Sequence, residues 1–181
     1  SSRLLFAVNE TYALKEDLLK TGDCLAILPP VSGGNTDDIF QLTYQEIDSR
    51  KLALQILQPN DGAIVTFEGV TRDHSLGRKV LYLEYEAYEP MAIKMMREIA
   101  TEARQKWSID QIAIVHRLGR VDISSTSVAI VVTSAHRKVA FEACHFLIDR
   151  LKEVVPIWKR EYYEDGNVWI DPQLQSRPEK A

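Results

Sequence analysis

The chain has 181 residues, 45% hydrophobic and 27% charged, with a formal net charge of −4. That length holds one full domain and part of another, and the composition suits a folded protein with a real core. The acidic balance excludes a general nucleic-acid binder, no apolar run is long enough to span a membrane, and no basic-then-apolar run opens the chain. Two cysteines, Cys24 and Cys144, have neither metal-ligand spacing nor the density of a disulfide scaffold. A reduced, cytoplasmic setting without a bound metal is expected.

Residues 1–34 have a character of their own. SSRLLFAVNETYAL and DCLAIL are predicted as two strands flanking the polar connection KEDLLKTGD, and the segment closes on PPVSGG. A segment this short buries too little surface to fold alone without metals or disulfides. Because the chain opens on Ser1, this segment is expected to be the rear part of a larger domain. Gly33-Gly34 has two readings. It is a flexible linker, or it is a slim tail able to thread a narrow channel, since glycine lacks a Cβ. Residues 35–38, NTDD, are polar and mark the expected boundary.

Beyond the boundary, IFQLTYQEID reads as a strand and SRKLALQILQ as a short helix ended by the turn PNDG. AIVTFEGVTR alternates as a strand, with Ala63, Val65 and Phe67 against Thr66 and Glu68. RDHSLGRK then reads as a polar surface loop, with Arg72 at the strand end rather than the loop tip. VLYLEYEAY is another strand, and Pro90 opens a helix at a position that proline tolerates. Met91, Met95, Ile99 and Ala103 form the stripe expected to pack in the core. IDQIAIVHRLGRV reads as a strand with a turn at Gly119, where His116 and Arg117 read as structural more readily than functional. VDISSTSVAIVVTSAH supplies the next strand.

Thr133 to Tyr163 is the most informative stretch. Val139, Ala140, Ala143, Phe146, Leu147, Leu151, Val154 and Val155 recur at helical spacing, Ser134 is the expected N-cap, and Pro156 stops the helix. His136 and Arg137 fall in the first turn, where unpaired N–H groups and the positive dipole end favour an anion. Lys152 falls in the last turns, away from the core stripe. Taken alone it reads more readily as a solvated residue that complements the dipole. Lys159 and Arg160 follow the proline on a strand and point to opposite faces. The basic clusters, on an acidic background, suit a small anionic substrate better than a polyanion.

These motifs carry a resemblance. From about Ile39 to Ile170 the chain resembles the large subunit of molybdopterin synthase, through DGAIVTFEGVTRDHSLG, IVHRLG, TSAHR followed by AFEA, and LK with PIWKRE. The run LLFAVNETYAL with GDCLAILPPVSGG resembles the C-terminal part of the small, ubiquitin-like subunit of the same enzyme. An α+β fold is expected: a mostly antiparallel sheet with three helices over residues 39–172, preceded by a partial β-grasp segment over 1–34. Residues 35–38 are the linker and 173–181 a flexible tail.

The resemblance also implies a chemistry. The carrier's terminal glycine bears a thiocarboxylate and enters a pocket of the large subunit. Sulfur then passes to cyclic pyranopterin monophosphate, making the dithiolene of molybdopterin. Lys152 and Lys159 match the family's two essential lysines, and Arg72, His136 and Arg137 its anion-binding positions. Gly33 and Gly34 match the carrier tail. A homodimer through the catalytic domain is implied, and no cofactor, with molybdenum belonging to a later step. One departure stands out. Gly34 is joined to Asn35, whereas a thiocarboxylate needs a free terminal carboxyl. Either the chain is cut after Gly34, or a separate carrier supplies sulfur and the fused tail is a tether. The competing reading is a non-donating scaffold or self-inhibited form, with the Gly-Gly tail occupying the pocket.

Overall fold

The computed structural model describes residues 5–8, 11–13, 20–28 and 38–170. The expected Gly33-Gly34 tail, residues 35–37 of the expected linker and the 173–181 tail lie outside the described residues. The chain divides into two compact units, Ser1–Thr36 and Asp37–Ala181.

In the first unit, β1 (Leu5–Val8) lies between β2 (Thr11–Ala13) and β3 (Leu25–Leu28), antiparallel to both. Val8 stands opposite Thr11 on one side and Leu25 on the other. The run expected as a single first strand is therefore two, since the polar Asn9-Glu10 pair interrupts its apolar pattern. A tight turn precedes β3. The Asp23 amide donates to the Lys20 carbonyl at 3.0 Å, and Gly22 takes φ 96°, a region open to glycine.

The second unit contains β4 (Ile39–Thr43), α1 (Ser49–Ile56), β5 (Ala63–Val70), β6 (His74–Ser75), β7 (Arg78–Ala87) and α2 (Glu89–Lys106). It continues with β8 (Ile112–Arg117), β9 (Gly119–Asp122), β10 (Thr126–Ser134), α3 (Arg137–Val154), β11 (Ile157–Tyr163) and β12 (Gly166–Ile170). Two sheets result. One runs β4-β8-β10-β5 and is antiparallel except for the β4–β8 pair; the other runs β12-β11-β7-β6, with β9 also on β7. Asp38 belongs to this folded unit rather than to a linker. Its carboxylate accepts both arms of the Arg104 guanidinium, at 2.7 and 2.8 Å, and the Ile112 amide at 2.9 Å.

Strand β10 holds the core together. Its residues are buried on both faces, which is why SVAIVVTS reads as a nearly continuous apolar run rather than an alternation. Val128, Ile130 and Val132 face α2 and α3, while Ala129 and Val131 face α1. On α2 the buried stripe is Ala92, Met96, Ile99, Ala100 and Ala103, one step round from the expected one, and Met91 is exposed. The alanines explain the rotation, because small side chains let the helix sit close against α3 and the sheet.

Two further expectations are corrected. The loop after β5 is a hairpin: His74 pairs with Lys79 and Ser75 with Arg78, with Leu76 and Gly77 both at positive φ (50° and 74°). That is the geometry of a two-residue turn whose twist matches its strands. At α3 the N-cap is His136, without a side-chain cap; Ser134 closes β10 instead, and its hydroxyl accepts the His136 amide at 3.3 Å. The sheet claims Ser134 before the helix can.

The start of α3 is held from below by Gly62, whose amide donates to the Ser134 carbonyl at 3.1 Å. A Cβ on Gly62 would lie 2.3 Å from the Ala135 carbonyl oxygen, a backbone atom that cannot swing aside. Gly62→Ala should therefore cost about 1–3 kcal/mol. Thermal unfolding should show a Tm drop of about 3–10 °C, and an unchanged Tm would mean the corner yields freely.

Candidate active site

Where the two sheets meet the C-terminal end of α3, a cleft of about 820 Å³ opens. Three elements bring cations to it. Arg72 lies two residues past the end of β5, behind Thr71, whose amide donates to the Ser125 carbonyl at 3.1 Å and whose carbonyl accepts from Ser124 at 2.8 Å. Those bonds fix the strand end and leave the Arg72 side chain exposed at the cleft. Lys152 projects from the last turns of α3, and Lys159 from β11 after the Pro156 corner. Among the described residues, neither Arg72 nor Lys152 has a hydrogen-bond or ion-pair partner.

Lys159 is in a different state. Its side chain is only 18% exposed, and its Nζ sits 3.0 Å from Glu161 Oε1. Burial lowers its pKa; Glu161 opposes that shift, and the positive charges of Arg72 and Lys152 add to it. The three cations therefore sense one another. Gathering them beside an apolar wall makes a site that favours an incoming anion.

Glu161 is what permits this. Burial by itself would raise its pKa. The Tyr163 hydroxyl donates to it at 2.6 Å, the Ser75 hydroxyl lies beside it, and Lys159 faces it, so its carboxyl is held below the usual range. Nothing in the sequence reading singled out Glu161. The available signal was its spacing: two residues after Lys159 on a strand, it must share that lysine's face.

Other basic residues are otherwise engaged. Arg160 points to the opposite side of the sheet, where it faces Glu84 and Glu86 at 3.6 Å each and covers the Trp169 ring at 4.0 Å. Arg78 pairs with Asp165 and covers Tyr163, and Lys79 pairs with Glu164. Of that loop cluster, Arg72 and His74 line the cleft, and His74 bonds to Asp73 at 2.7 Å. His136 and Arg137 are exposed at the far end of α3. At 1.5 Å per residue they lie about 24 Å along the helix from Lys152. The single chain does not bring them to the cleft. His116, read as structural from sequence, lines the cleft's interior together with Tyr85 and Ser127.

Neither cysteine joins the site. Cys144 is buried on the core face of α3 and burial pushes its thiol up to about 11, while Cys24 belongs to the first unit. No helix among the described residues is long and apolar enough to cross a membrane.

An α+β enzyme domain with two antiparallel-rich sheets and a cationic cleft at a helix–strand corner is the class that this fold and site define. More particularly, the chain belongs to the MoaE protein family, whose model matches residues 42–154, and residues 1–34 match the ThiS family. It is 43% identical over 137 residues to the molybdopterin synthase catalytic subunit of Bacillus subtilis, covering 76% of this chain and 87% of the relative. The human protein of the same description is 44% identical, over 73% of this chain and 70% of its own length. Among solved structures, molybdopterin synthase from Staphylococcus aureus superposes with a TM-score of 0.70 at 42% identity, covering 72% of this chain and 96% of that one. The chain is thus an enzyme of molybdenum cofactor biosynthesis, a catalytic domain with a ThiS-type carrier segment fused in front.

The Glu161 carboxylate has a measurable signature. Its folded pKa lies below its unfolded value near 4.5, so it contributes stability above that pH and loses it as pH falls through the folded value. Glu161→Gln should therefore be less stable than the parent by about 1–3 kcal/mol at pH 7. In urea titrations at stepped pH the gap should close below about pH 4.5; a gap independent of pH would assign the loss to packing rather than charge.

Proposed function

We propose that the catalytic domain transfers sulfur from the thiocarboxylated C-terminal glycine of a ThiS-type carrier to cyclic pyranopterin monophosphate. The observation that carries this reading is the convergence of Arg72, Lys152 and Lys159 on one cleft. Arg72 would hold the phosphate. Lys152, exposed at the cleft mouth, would meet the incoming glycine tail. Lys159, deeper and partly desolvated, would bind and polarise the pterin.

Attack of a thiocarboxylate sulfur on the pterin develops negative charge, and ammonium groups already fixed at that point stabilise it without reorganising. An ammonium whose pKa has been lowered also gives up its proton more readily, which suits general acid catalysis near neutral pH. The Gly34–Asn35 peptide bond cannot become a thiocarboxylate as it stands. Sulfur donation therefore needs either cleavage after Gly34 or a second, free carrier.

Lys152→Ala and Lys159→Ala should each lower turnover at least about 100-fold when thiocarboxylated carrier is supplied separately. Carrier binding by Lys152→Ala should persist. Near-normal turnover in both variants would favour the scaffold reading instead.

His136 and Arg137 support the same chemistry only from a neighbouring molecule, since α3 separates them from Lys152. We infer a homodimer in which each copy lends its α3 start to the other's cleft. Mixing Lys159→Ala chains with Arg137→Ala chains would then create one intact site in each mixed dimer. Random exchange should restore roughly a quarter of wild-type activity. A mixture as inactive as its components would place both residues in the same site of one chain, and full activity of Arg137→Ala alone would place Arg137 outside the reaction.

A further inference from the structure

The cleft has a second wall that the sulfur-transfer reading leaves without a task. It is uncharged and polar, and it faces inward from both sheets. His116 ends the core-facing row of β8 that includes Ile112 and Ile114, and it stands opposite Val128 of β10. The residue is 4% exposed, yet it lines the cleft. Its Nδ1 lies 2.8 Å from the carbonyl of Arg117, and a carbonyl only accepts, so Nδ1 carries the proton. The neutral ring then has an acceptor lone pair on Nε2, for which no donor is present among the described residues.

Tyr85 holds the ring in place. It packs edge-on against His116 with centroids 4.9 Å apart, and it is the cross-strand neighbour of Lys159. Ser127 completes the wall. It sits where the β10–β5 register shifts between Thr126 and Val128, an irregularity that re-aims a side chain. Its hydroxyl donates to the Gly69 carbonyl at 2.9 Å and lies beside the Tyr85 phenol. Burial pushes the His116 imidazole down to about 4 and raises the Tyr85 phenol, so both stay uncharged at neutral pH.

We propose that His116, supported by Tyr85 and Ser127, is a specificity-determining residue whose Nε2 accepts a hydrogen bond from a ring N–H of the substrate's heterocycle. The inference rests on the pterin reading above and assigns the substrate's uncharged part to this wall. The phosphate goes to the cationic wall. A buried acceptor left without its donor is costly, so a site built this way rejects phosphorylated compounds that lack the ring N–H. A neutral imidazole also serves better here than a charged one, since a second buried cation beside Lys159 would repel it.

The test uses the full chain and two probes, an unphosphorylated pterin and inorganic phosphate, titrated calorimetrically. His116→Phe keeps an aromatic ring against Tyr85 but removes the acceptor; His116→Gln keeps an acceptor and a donor for the Arg117 carbonyl. His116→Phe should weaken pterin binding at least tenfold with phosphate affinity unchanged, and His116→Gln should recover most of the loss. Pterin affinity within twofold of wild type in His116→Phe overturns the proposal. So does a parallel loss of both probes in both variants, which would make His116 a structural residue. A wild-type chain that binds phosphate but no pterin overturns the substrate reading itself, and this inference with it.

Discussion

An ammonium group cannot be taken out of water beside two other cations unless something answers its charge. Glu161 answers for Lys159. The carboxylate is itself almost wholly buried, and it stays ionised because Tyr163 and Lys159 both engage it and Ser75 lies alongside. This arrangement lets Lys159 remain partly desolvated while Arg72 and Lys152, which have no such partner among the described residues, keep their charge free for a ligand. The cleft's electrostatics follow from one buried carboxylate placed two residues along the same strand.

That placement depends on the two sheets meeting. Lys159 and Glu161 come from β11, Tyr85 from β7, His116 from β8 and Ser127 from β10, while Arg72 follows β5. No single element could present both a cationic wall and a neutral one. The neutral wall grows from the core, where β8 and β10 are covered on both faces and side chains are held by packing. The cationic wall grows from the periphery, at a strand end and a helix end, where long side chains reach water. The difference in burial gives the two walls different chemistry, one reading shape and hydrogen bonds, the other reading charge.

Helix α3 divides the remaining basic residues. Its first turn carries His136 and Arg137 and its last turns carry Lys152, so the two ends of the helix face different surroundings. Both ends suit an anion for unrelated reasons: unpaired N–H groups at the start, and side-chain charge at the finish. The homodimer proposed above would resolve the separation without asking the helix to bend.

Much of this was legible in the residues. The antiparallel-rich α+β fold was what the family resemblance implied, while strand and helix order, the Pro156 corner and the opposite faces of Lys159 and Arg160 follow from local periodicity and from what proline and an extended backbone permit. Those are short-range constraints, and a chain expresses them wherever it folds. What tertiary structure alone decided was which residues meet. His116 looked like an ordinary strand residue because its significance lies in a partner far away in sequence, Tyr85 across the junction of two sheets. Glu161 shares a face with Lys159 by spacing alone, but its burial, with Ser75 alongside, came from packing between elements. The rotation of α2 toward its alanines and the capture of Ser134 by β10 have the same origin. Packing between elements outweighed the local preference by a margin that no single stretch of sequence contains.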